Sequence, residues 1–261
     1  MRRYLKLLRI FTANSLQLEL EYRGNFVLNI FNSLITTATG LLVLYAMFDN
    51  ATSVGGWRFG EALTLYGVFM VFEALIDIFM YPSLNKLPEY IRLGNLDFFL
   101  LKPISAQFMV SFRYLSVWML PQLLLAFALI GYGMAESEQL HVAAVLLVLV
   151  LLFCGAVIVY AIWFMLTTTA FWLVKVDNIS ELFYAFFTTG RFPVSAFPTW
   201  ARFFLTFVVP IAFITTVPAS AAVGRLSVGA VVGSIAMAGA LFAASRLLWR
   251  YAVANYTSAS S

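Results

Sequence analysis

Residues 82–103, PSLNKLPEYIRLGNLDFFLLKP, form a charged stretch between two apolar segments that are long enough to cross a membrane. Its charged side chains are Lys86, Glu89, Arg92, Asp97 and Lys102. So many charges are too costly to place in lipid, so we expect the stretch to lie in water. Pro88 is suited to the first turn of a helix and Gly94 to its end. The stretch therefore predicts a short cytoplasmic helix over residues 88–93, between two membrane-spanning helices.

The composition indicates an integral membrane protein. Of the 261 residues, 62% are hydrophobic and 11% are charged, whereas a soluble domain carries about 25% charged residues. The net charge of +4 does not suggest nucleic-acid binding, because the basic residues cluster at the ends of apolar segments. The single cysteine, Cys154, excludes a disulfide framework and a thiolate metal site.

The first 22 residues predict an amphipathic helix that lies in the membrane surface. Apolar side chains recur on one face at helical spacing, and Arg2, Lys6 and Arg9 fall on the opposite face. Basic helices of this kind bind in the headgroup plane. A secretory signal peptide is the rival interpretation, but Glu19 and Glu21 stand where its small-residue cleavage site belongs. We therefore expect an interfacial helix over residues 1–22.

The apolar segments predict an all-α membrane protein with six spanning helices in a single domain, residues 1–261. Their approximate ranges are 25–48, 61–81, 106–131, 142–174, 179–196 and 227–249. Each is close to the length that crosses a hydrocarbon core of about 30 Å. The fourth exceeds that length, so we expect it to tilt or to protrude into the cytoplasm.

Prolines interrupt the chain between the fifth and sixth spans. Pro193, Pro198 and Pro210 recur there, and Trp200 follows the second of them. Broken helices at membrane depth persist only where protein or water satisfies their backbone groups. We therefore predict an extracytoplasmic re-entrant segment over residues 197–222.

The basic residues predict the orientation of the chain. With six spans, most lysines and arginines fall on one side, which includes both termini and residues 82–104. The excess of positive charge on cytoplasmic loops places that side inside the cell. The prediction is thus a multi-pass protein with both termini in the cytoplasm.

Glu73 and Asp77 form a candidate polar cluster within the second span. They lie four residues apart, so they share one helix face, and an acid at membrane depth normally faces a bundle interior or water. Arg113, at a similar depth on the third span, is the expected partner. One interpretation is an ion pair that locks the two spans together. The other is a polar lining for a substrate path or a proton site.

The sequence contains no motif for a nucleotide or a metal. It has no glycine-rich phosphate loop that ends in Lys-Ser/Thr and no His/Cys/Asp cluster at metal-ligand spacing. No nucleophile–base set accompanies the acids, so a membrane enzyme is disfavoured. Energy for transport must come from a partner subunit or an ion gradient. A gradient-driven secondary transporter or channel that uses Glu73 and Asp77 is therefore the alternative to an ATP-driven transporter.

The arrangement of the whole chain resembles the membrane subunit of a type-2 ABC exporter. The run RLGNLDFFLLKPISAQF at residues 92–108 is similar to a poorly characterised bacterial branch, in which an Arg-x-Gly-x-Leu-Asp stretch precedes Lys-Pro. The run FPVSAFPTWAR at residues 192–202, followed by Pro210, resembles the re-entrant extracellular motif of the family. That motif would include Pro193, Pro198 and Trp200.

The resemblance implies a permease subunit, not an enzyme, with no catalytic residues and no cofactor of its own. ATP and Mg would bind to a partner ABC ATPase dimer. The residues expected to couple the permease to that ATPase are Pro88, Glu89, Arg92, Asn95 and Asp97. In the resembled branch one ATPase is typically encoded beside two different permeases. This implies a second permease subunit, and we expect it to be a paralogue of this chain in preference to an identical copy. The resemblance further implies export of a hydrophobic or amphipathic substrate across the bacterial cytoplasmic (inner) membrane, with lipid and not nucleic acid around the chain.

Overall fold

Helices dominate the fold because a backbone in lipid must satisfy its own hydrogen bonds. The computed structural model describes residues 2–21, 23–49, 51–173 and 177–256, and the side chains of all of these except 177–180. These residues form thirteen α-helices and no β-strand, so the predicted all-α class is confirmed. The α-helices are α1 (Arg2–Glu21), α2 (Arg23–Asp49), α3 (Phe59–Leu75), α4 (Tyr81–Leu84), α5 (Leu87–Arg92), α6 (Asp97–Leu100), α7 (Ala106–Phe112), α8 (Leu120–Glu136), α9 (Val142–Thr168), α10 (Asp177–Thr188), α11 (Thr199–Phe203), α12 (Val217–Ala222) and α13 (Val228–Ala254).

Four helical stretches in the described ranges are long and apolar enough to cross a membrane. They are Arg23–Asp49, Phe59–Arg92, Val142–Phe171 and Val228–Ala254. These correspond to the predicted spans one, two, four and six. The bent helix pair Thr199–Val208 and Ala212–Ala222 brings the number to five if it counts as one span. The third and fifth predicted spans are not single long helices.

The third predicted span, 106–131, is interrupted in its middle. α7 ends at Phe112 and α8 begins at Leu120, so residues 113–119 are not α-helical. We call residues 113–119 the α7–α8 break. α8 alone has 17 residues, fewer than the 20 or so that usually cross a bilayer. The prediction of one continuous helix over 106–131 is therefore wrong.

Hydrogen bonds to the turn after α3 and to α4 stabilise one side of the α7–α8 break. Pro82 has no N–H, so the carbonyl oxygen of Ile78 has no α-helical donor four residues later. The chain forms a π-helical turn there, Ile76–Met80, and the amide of Ser116 donates to the Ile78 oxygen at 3.0 Å. The amide of Tyr114 donates to Oγ of Ser83 at 2.8 Å. Because Pro82 has no N–H to donate, the carbonyl oxygen of Ile78 is available to accept from the amide of Ser116 in the α7–α8 break.

The N-terminal helix α1 stabilises the other side of the same break. Oγ of Ser15 accepts a hydrogen bond from the amide of Leu115 at 3.0 Å. Oε1 of Glu19 accepts from Oγ of Ser116 at 2.6 Å and from the amide of Val117 at 2.9 Å. These side chains satisfy backbone donors that a continuous helix would satisfy itself. The helix predicted over residues 1–22 therefore has a packing role as well, while its position in the membrane surface stays a prediction.

The fifth predicted span, 179–196, is also shorter than expected. α10 has 12 residues and is followed by 3₁₀ turns at Thr189–Arg191 and Val194–Ala196. Phe192 is extended, with φ −116° and ψ 148°, because a residue that precedes proline is disfavoured in the α region. Pro193 therefore prevents a continuous helix over 179–196, and residues 174–176 before α10 lie outside the described residues.

A sharply bent helix pair occupies the predicted re-entrant segment. The two arms, Thr199–Val208 and Ala212–Ala222, meet at an angle of 80°. Val209, which precedes Pro210, is extended with φ −115° and ψ 92°, so the helix stops at the proline for the same steric reason as above. The extracytoplasmic location of this segment stays a prediction.

The helix α3 lies at the centre of the fold. In the span that contains it, 78% of the most apolar stretch is buried, against 17% in the spans of α2 and α13. Small residues allow α8 to approach α3 closely: a Cβ atom on Gly67 would lie 2.9 Å from Cβ of Leu129, and one on Gly133 would meet the side chain of Thr64. The outer helices α2 and α13 leave most of their surface uncovered by the rest of the chain.

Candidate functional site

The charged stretch at residues 82–103 contains a short helix, α5, at Leu87–Arg92. Pro88 lies in its first turn, and Gly94, with φ +69°, ends it in the left-handed conformation that glycine adopts without strain. Leu87 is fully buried, and the ring of Tyr90 packs on that of Phe99 with centroids 4.9 Å apart. One side of α5 is thus held against the rest of the chain.

The opposite side of α5 carries the predicted coupling residues. Glu89 and Arg92 are exposed, and Pro88, Asn95 and Asp97 are partly buried. Pro88, Glu89 and Arg92 line a cavity of about 410 Å³. Its other wall includes residues 170–173, which follow the end of α9. The structure does not bring Asn95 and Asp97 into this cavity; they lie in the turn after α5 and at the start of α6.

Exposed apolar side chains lie beside these charges. Phe98 is 67% exposed, Leu101 83% and Leu93 56%. Isolated exposed apolar residues are common, but a group of them near charged side chains is typical of a surface that contacts a partner or a membrane. Phe98 and Leu101 were not among the predicted coupling residues. The run FFLL at residues 98–101, an apolar group inside the charged stretch, would have indicated them.

Arg113 does not contact the intramembrane acids. Its guanidinium lies 5.2 Å from the ring centroid of Phe99 and 5.6 Å from that of Tyr114. The ammonium of Lys86 lies 3.8 Å from the same Tyr114 ring. A cation over an aromatic face is attracted by the ring's negative centre. The predicted pairing of Arg113 with Glu73 and Asp77 is therefore wrong, because the unwound α7–α8 break directs Arg113 toward the charged stretch.

Glu73 instead lies at the centre of a different polar network. The amide of Gln122 donates to Glu73 Oε2 at 2.7 Å. Arg191 Nη2 and the hydroxyl of Tyr184 approach Glu73 Oε1 at 3.4 and 3.5 Å. Oγ of Ser33 in turn donates to Gln122 Oε1 at 2.6 Å. We call these five residues the Glu73 network; it joins α2, α3, α8, α10 and the turn after α10.

Most residues of the Glu73 network carry no signal in the sequence. Gln122, Tyr184 and Ser33 are polar residues that are common in spanning helices, so nothing local separated them from their neighbours. Arg191 gave a clearer signal, since it is a charge inside an apolar stretch. A buried charge without a counter-ion is costly, which ranks Arg191 with Arg113 as a candidate partner for Glu73.

Asp77 lies apart from the Glu73 network. It is in the π-helical turn Ile76–Met80 and makes no hydrogen bond or ion pair with any residue that the structure describes. It lines a cavity of about 540 Å³ together with Trp118, Trp163, Glu181 and Tyr184. Asp77 therefore faces a cavity with both acidic and aromatic walls.

The Glu73 network lies between this cavity and a second one. The second cavity, of about 380 Å³, is lined by Arg191 and Tyr66 and by residues of α2 such as Thr39. Tyr184 lines the first cavity and Arg191 the second, and both contact the same carboxylate oxygen of Glu73. A movement of this carboxylate would therefore change both cavities.

The predicted re-entrant residues take different positions in the bent segment. Pro193 and Pro210 are buried, whereas Pro198 is exposed and Trp200 is 75% exposed. Oγ of Ser195 donates to the carbonyl of Gly55 at 2.7 Å, which joins this segment to the loop before α3. The prolines thus shape the backbone, and Trp200 is free to contact lipid or another subunit.

Among the described residues, no three His, Cys, Asp or Glu side chains come together as a metal site would need.

Comparison with known proteins identifies the family of this chain. No curated protein and no solved structure matches this chain. The family model described as ABC-2 family transporter protein matches residues 34–260, a region that contains both the charged stretch and the Glu73 network. The chain therefore belongs to the ABC-2 transporter family, whose members are membrane components of ABC transporters.

Proposed function

We propose that this chain is the permease subunit of an ATP-driven exporter of a hydrophobic or amphipathic substrate. A separate ABC ATPase dimer binds ATP and Mg and docks on residues 82–104. The observation that carries the proposal is α5: it is anchored by Leu87 and Tyr90 on one side and presents Glu89 and Arg92 on the other. A helix held in this way passes a push from a partner to the membrane domain.

In the proposed arrangement the chain crosses a bacterial inner membrane six times, with both termini in the cytoplasm. α7 and α8 form the third, broken crossing, and α10 with its following turns forms the fifth. The bent helix pair then enters the membrane from outside and returns. The basic residues at the ends of the apolar segments support this orientation.

The docking surface combines charges with exposed apolar groups. Glu89 and Arg92 supply charge complementarity, which gives specificity and orientation. Phe98 and Leu101, at 67% and 83% exposure, supply apolar area that an ATPase groove would bury. Contact of both kinds is typical of interfaces in which a few central residues provide most of the binding energy.

Packed side chains connect α5 to the Glu73 network. Tyr90 packs on Phe99, and Arg113 lies over Phe99 at the start of the α7–α8 break. The break leads into the first turn of α8, where Gln122 donates to Glu73. Contiguous contacts of this kind are a physical route by which docking at α5 shifts the polar network.

The proposed substrate path follows the two cavities on either side of the Glu73 network. Opening it requires the Arg191–Glu73 ion pair, now 3.4 Å, to separate. The partner ATPase must therefore bind the open and closed states with different affinity, since otherwise the equilibrium does not move. A second permease subunit, a paralogue of this chain, would cover the exposed face of α2, where Phe31 is 62% exposed.

Co-purification with the ATPase tests the proposal. The double variant Glu89→Ala with Arg92→Ala is expected to bind the ATPase about thirtyfold more weakly, since the two interfacial charges contribute of order 1 kcal/mol each. The control is Arg250→Ala, an exposed charge at the end of α13 outside the proposed surface. Undiminished association and ATPase stimulation by the double variant would contradict docking on α5.

A gradient-driven transporter is the second candidate function, and it is favoured by Asp77, which makes no hydrogen bond or ion pair with the described residues. A carboxylate that faces a cavity without a partner is placed to bind a proton or a cation. The test is flux through vesicles that contain this chain and no ATPase. Flux that an ionophore abolishes, and that Asp77→Asn abolishes, would support this function over the first one.

A further inference from the structure

A third cavity lies away from the Glu73 network, between α3, α7, α9 and α13. Its volume is about 480 Å³, within the range of sites that bind small molecules. Most of its walls are apolar: Leu75, Phe79, Phe108, Phe112, Val157 and Phe242. Neither Glu73, Asp77 nor Arg191 lines it, so it is separate from the proposed substrate path.

One charged residue, Arg246 on α13, lies among the residues that line this cavity. It makes no hydrogen bond or ion pair with any described residue, and its guanidinium lies 5.9 Å from the ring centroid of Phe242. Arg246 precedes the end of α13 at Ala254 by two helical turns, or about 12 Å. Arg246 is exposed, and an arginine that lies against an apolar wall near the end of a spanning helix is stabilised by an anion.

The other polar groups of the cavity already have partners. The amide of Gln107 donates to the hydroxyl of Tyr160 at 3.2 Å, and Ser111 Oγ lies 2.9 Å from the same hydroxyl. Ser105 Oγ accepts from the amide of Phe108 in the first turn of α7. The cavity therefore offers an apolar volume with one unpaired positive charge.

We propose that this cavity binds an anionic phospholipid of the cytoplasmic leaflet, with the phosphate group on Arg246 and part of one acyl chain between Phe108, Phe112 and Phe242. Charge complementarity selects this occupant: basic pockets between membrane helices on the cytoplasmic side bind anionic headgroups. α7 begins directly after the charged stretch, so its first turn lies on that side in the proposed orientation. The bound lipid joins α13 to α7 and needs neither the ATPase nor the substrate.

Native mass spectrometry of the full chain in detergent tests the site. The probes are phosphatidylglycerol, whose headgroup is anionic, and phosphatidylcholine, whose choline neutralises the phosphate, with identical acyl chains. Wild type is expected to retain phosphatidylglycerol more strongly. The variant Arg246→Gln should bind it about tenfold more weakly, a loss of about 1.4 kcal/mol, because the charge-assisted hydrogen bond to the phosphate is removed. The matched control, Arg250→Gln, removes an arginine four residues later on the same helix and should bind as wild type does.

A second variant fills the cavity and keeps the charge. Ala156→Phe is expected to weaken retention of phosphatidylglycerol even with Arg246 in place. If Arg246→Gln does not fold, this variant tests the site in its place. Equal retention of the two lipids by wild type would overturn the proposal, since the cavity would then bind acyl chains without selecting a headgroup. Competition by inorganic phosphate as strong as that by the lipid would also overturn it, as would a loss in Arg250→Gln equal to that in Arg246→Gln.

Discussion

Glu73 Oε1 and Arg191 Nη2 lie 3.4 Å apart, and this ion pair joins α3 to the turn that precedes the bent helix pair. The glutamate side chain is 7% exposed and the arginine side chain 29%. Glu73 is almost fully removed from water and Arg191 only partly, so Glu73 in particular depends on its counter-ion. The pair therefore joins α3 to this turn, and removing one partner leaves the other charge without its counter-ion.

Arg191→Met leaves the charge of Glu73 buried without a counter-ion. We expect a loss of about 3 kcal/mol in the free energy of unfolding, at the lower end of the range for broken buried pairs because Arg191 is partly exposed. The double variant Glu73→Gln with Arg191→Met should lose less free energy of unfolding than Arg191→Met alone. Its side-chain amide at position 73 carries no charge, and the amide oxygen can still accept the hydrogen bond from Gln122. Thermal unfolding of the purified chain in detergent measures both. A double variant that is less stable than Arg191→Met alone would contradict this account.

Asp77→Asn is expected to leave stability nearly unchanged. Asp77 has no hydrogen bond or ion pair with the residues the structure describes, so the substitution removes a partly buried charge and breaks no contact. We expect a change within about 0.5 kcal/mol. The same thermal unfolding experiment applies, with Arg191→Met as the destabilised reference. A large loss would mean that Asp77 has a partner that this conformation lacks.

Glu19→Ala should destabilise the contact between α1 and the α7–α8 break. The substitution leaves the amide of Val117 and the hydroxyl of Ser116 without their acceptor, and each buried unsatisfied group costs about 1–3 kcal/mol. Hydrogen exchange at residues 113–119 is expected to accelerate. Glu21→Ala, on the exposed part of the same helix, is the control and should exchange at the wild-type rate. Equal exchange in both variants would show that the break does not depend on α1.

Two glycines of α8 form a matched pair. A methyl group on Gly133 would lie 2.8 Å from Cβ of Thr64 on α3, whereas one on Gly131 would meet nothing within 4 Å. Gly133→Ala is therefore expected to cost about 1–3 kcal/mol through overpacking. Gly131→Ala should be neutral or stabilise by up to about 1 kcal/mol, because alanine favours the helix. Thermal stability of the two variants measures the difference, and equal values would contradict the close approach of α3 and α8.

The charged stretch was predictable because its signals are local. Pro88 and Gly94 act within one turn of the chain, and α5 lies at Leu87–Arg92, within one residue of the predicted range. The bend at Pro210 follows from the same kind of local rule, since the residue before a proline is driven out of the α region. Long apolar segments without such interruptions likewise appear as α2, α9 and α13.

The α7–α8 break and the partner of Glu73 were not predictable in this way. The break depends on Ser15 and Glu19, about a hundred positions away in the chain, and residues 113–119 are apolar enough to continue a helix if no other donor or acceptor is near. Arg113 was the expected counter-ion of Glu73 because both lie at a similar predicted depth, whereas Arg191 lies nearer the opposite end of its predicted span. Which of the two reaches Glu73 follows from where the chain is unwound.

The sequence by itself determined that this chain is an all-α membrane protein with a charged helix beside its second span, because apolar length, proline and glycine act over a few residues. The family followed from the same residues. Only the tertiary structure decided that Glu73 pairs with Arg191 and that Arg113 packs on Phe99. It also placed Arg246 beside an apolar cavity, without a hydrogen bond or ion pair to any described residue. The physical reason is that a polar group in a membrane takes whichever partner packing brings within about 3 Å, and packing joins residues that the sequence separates.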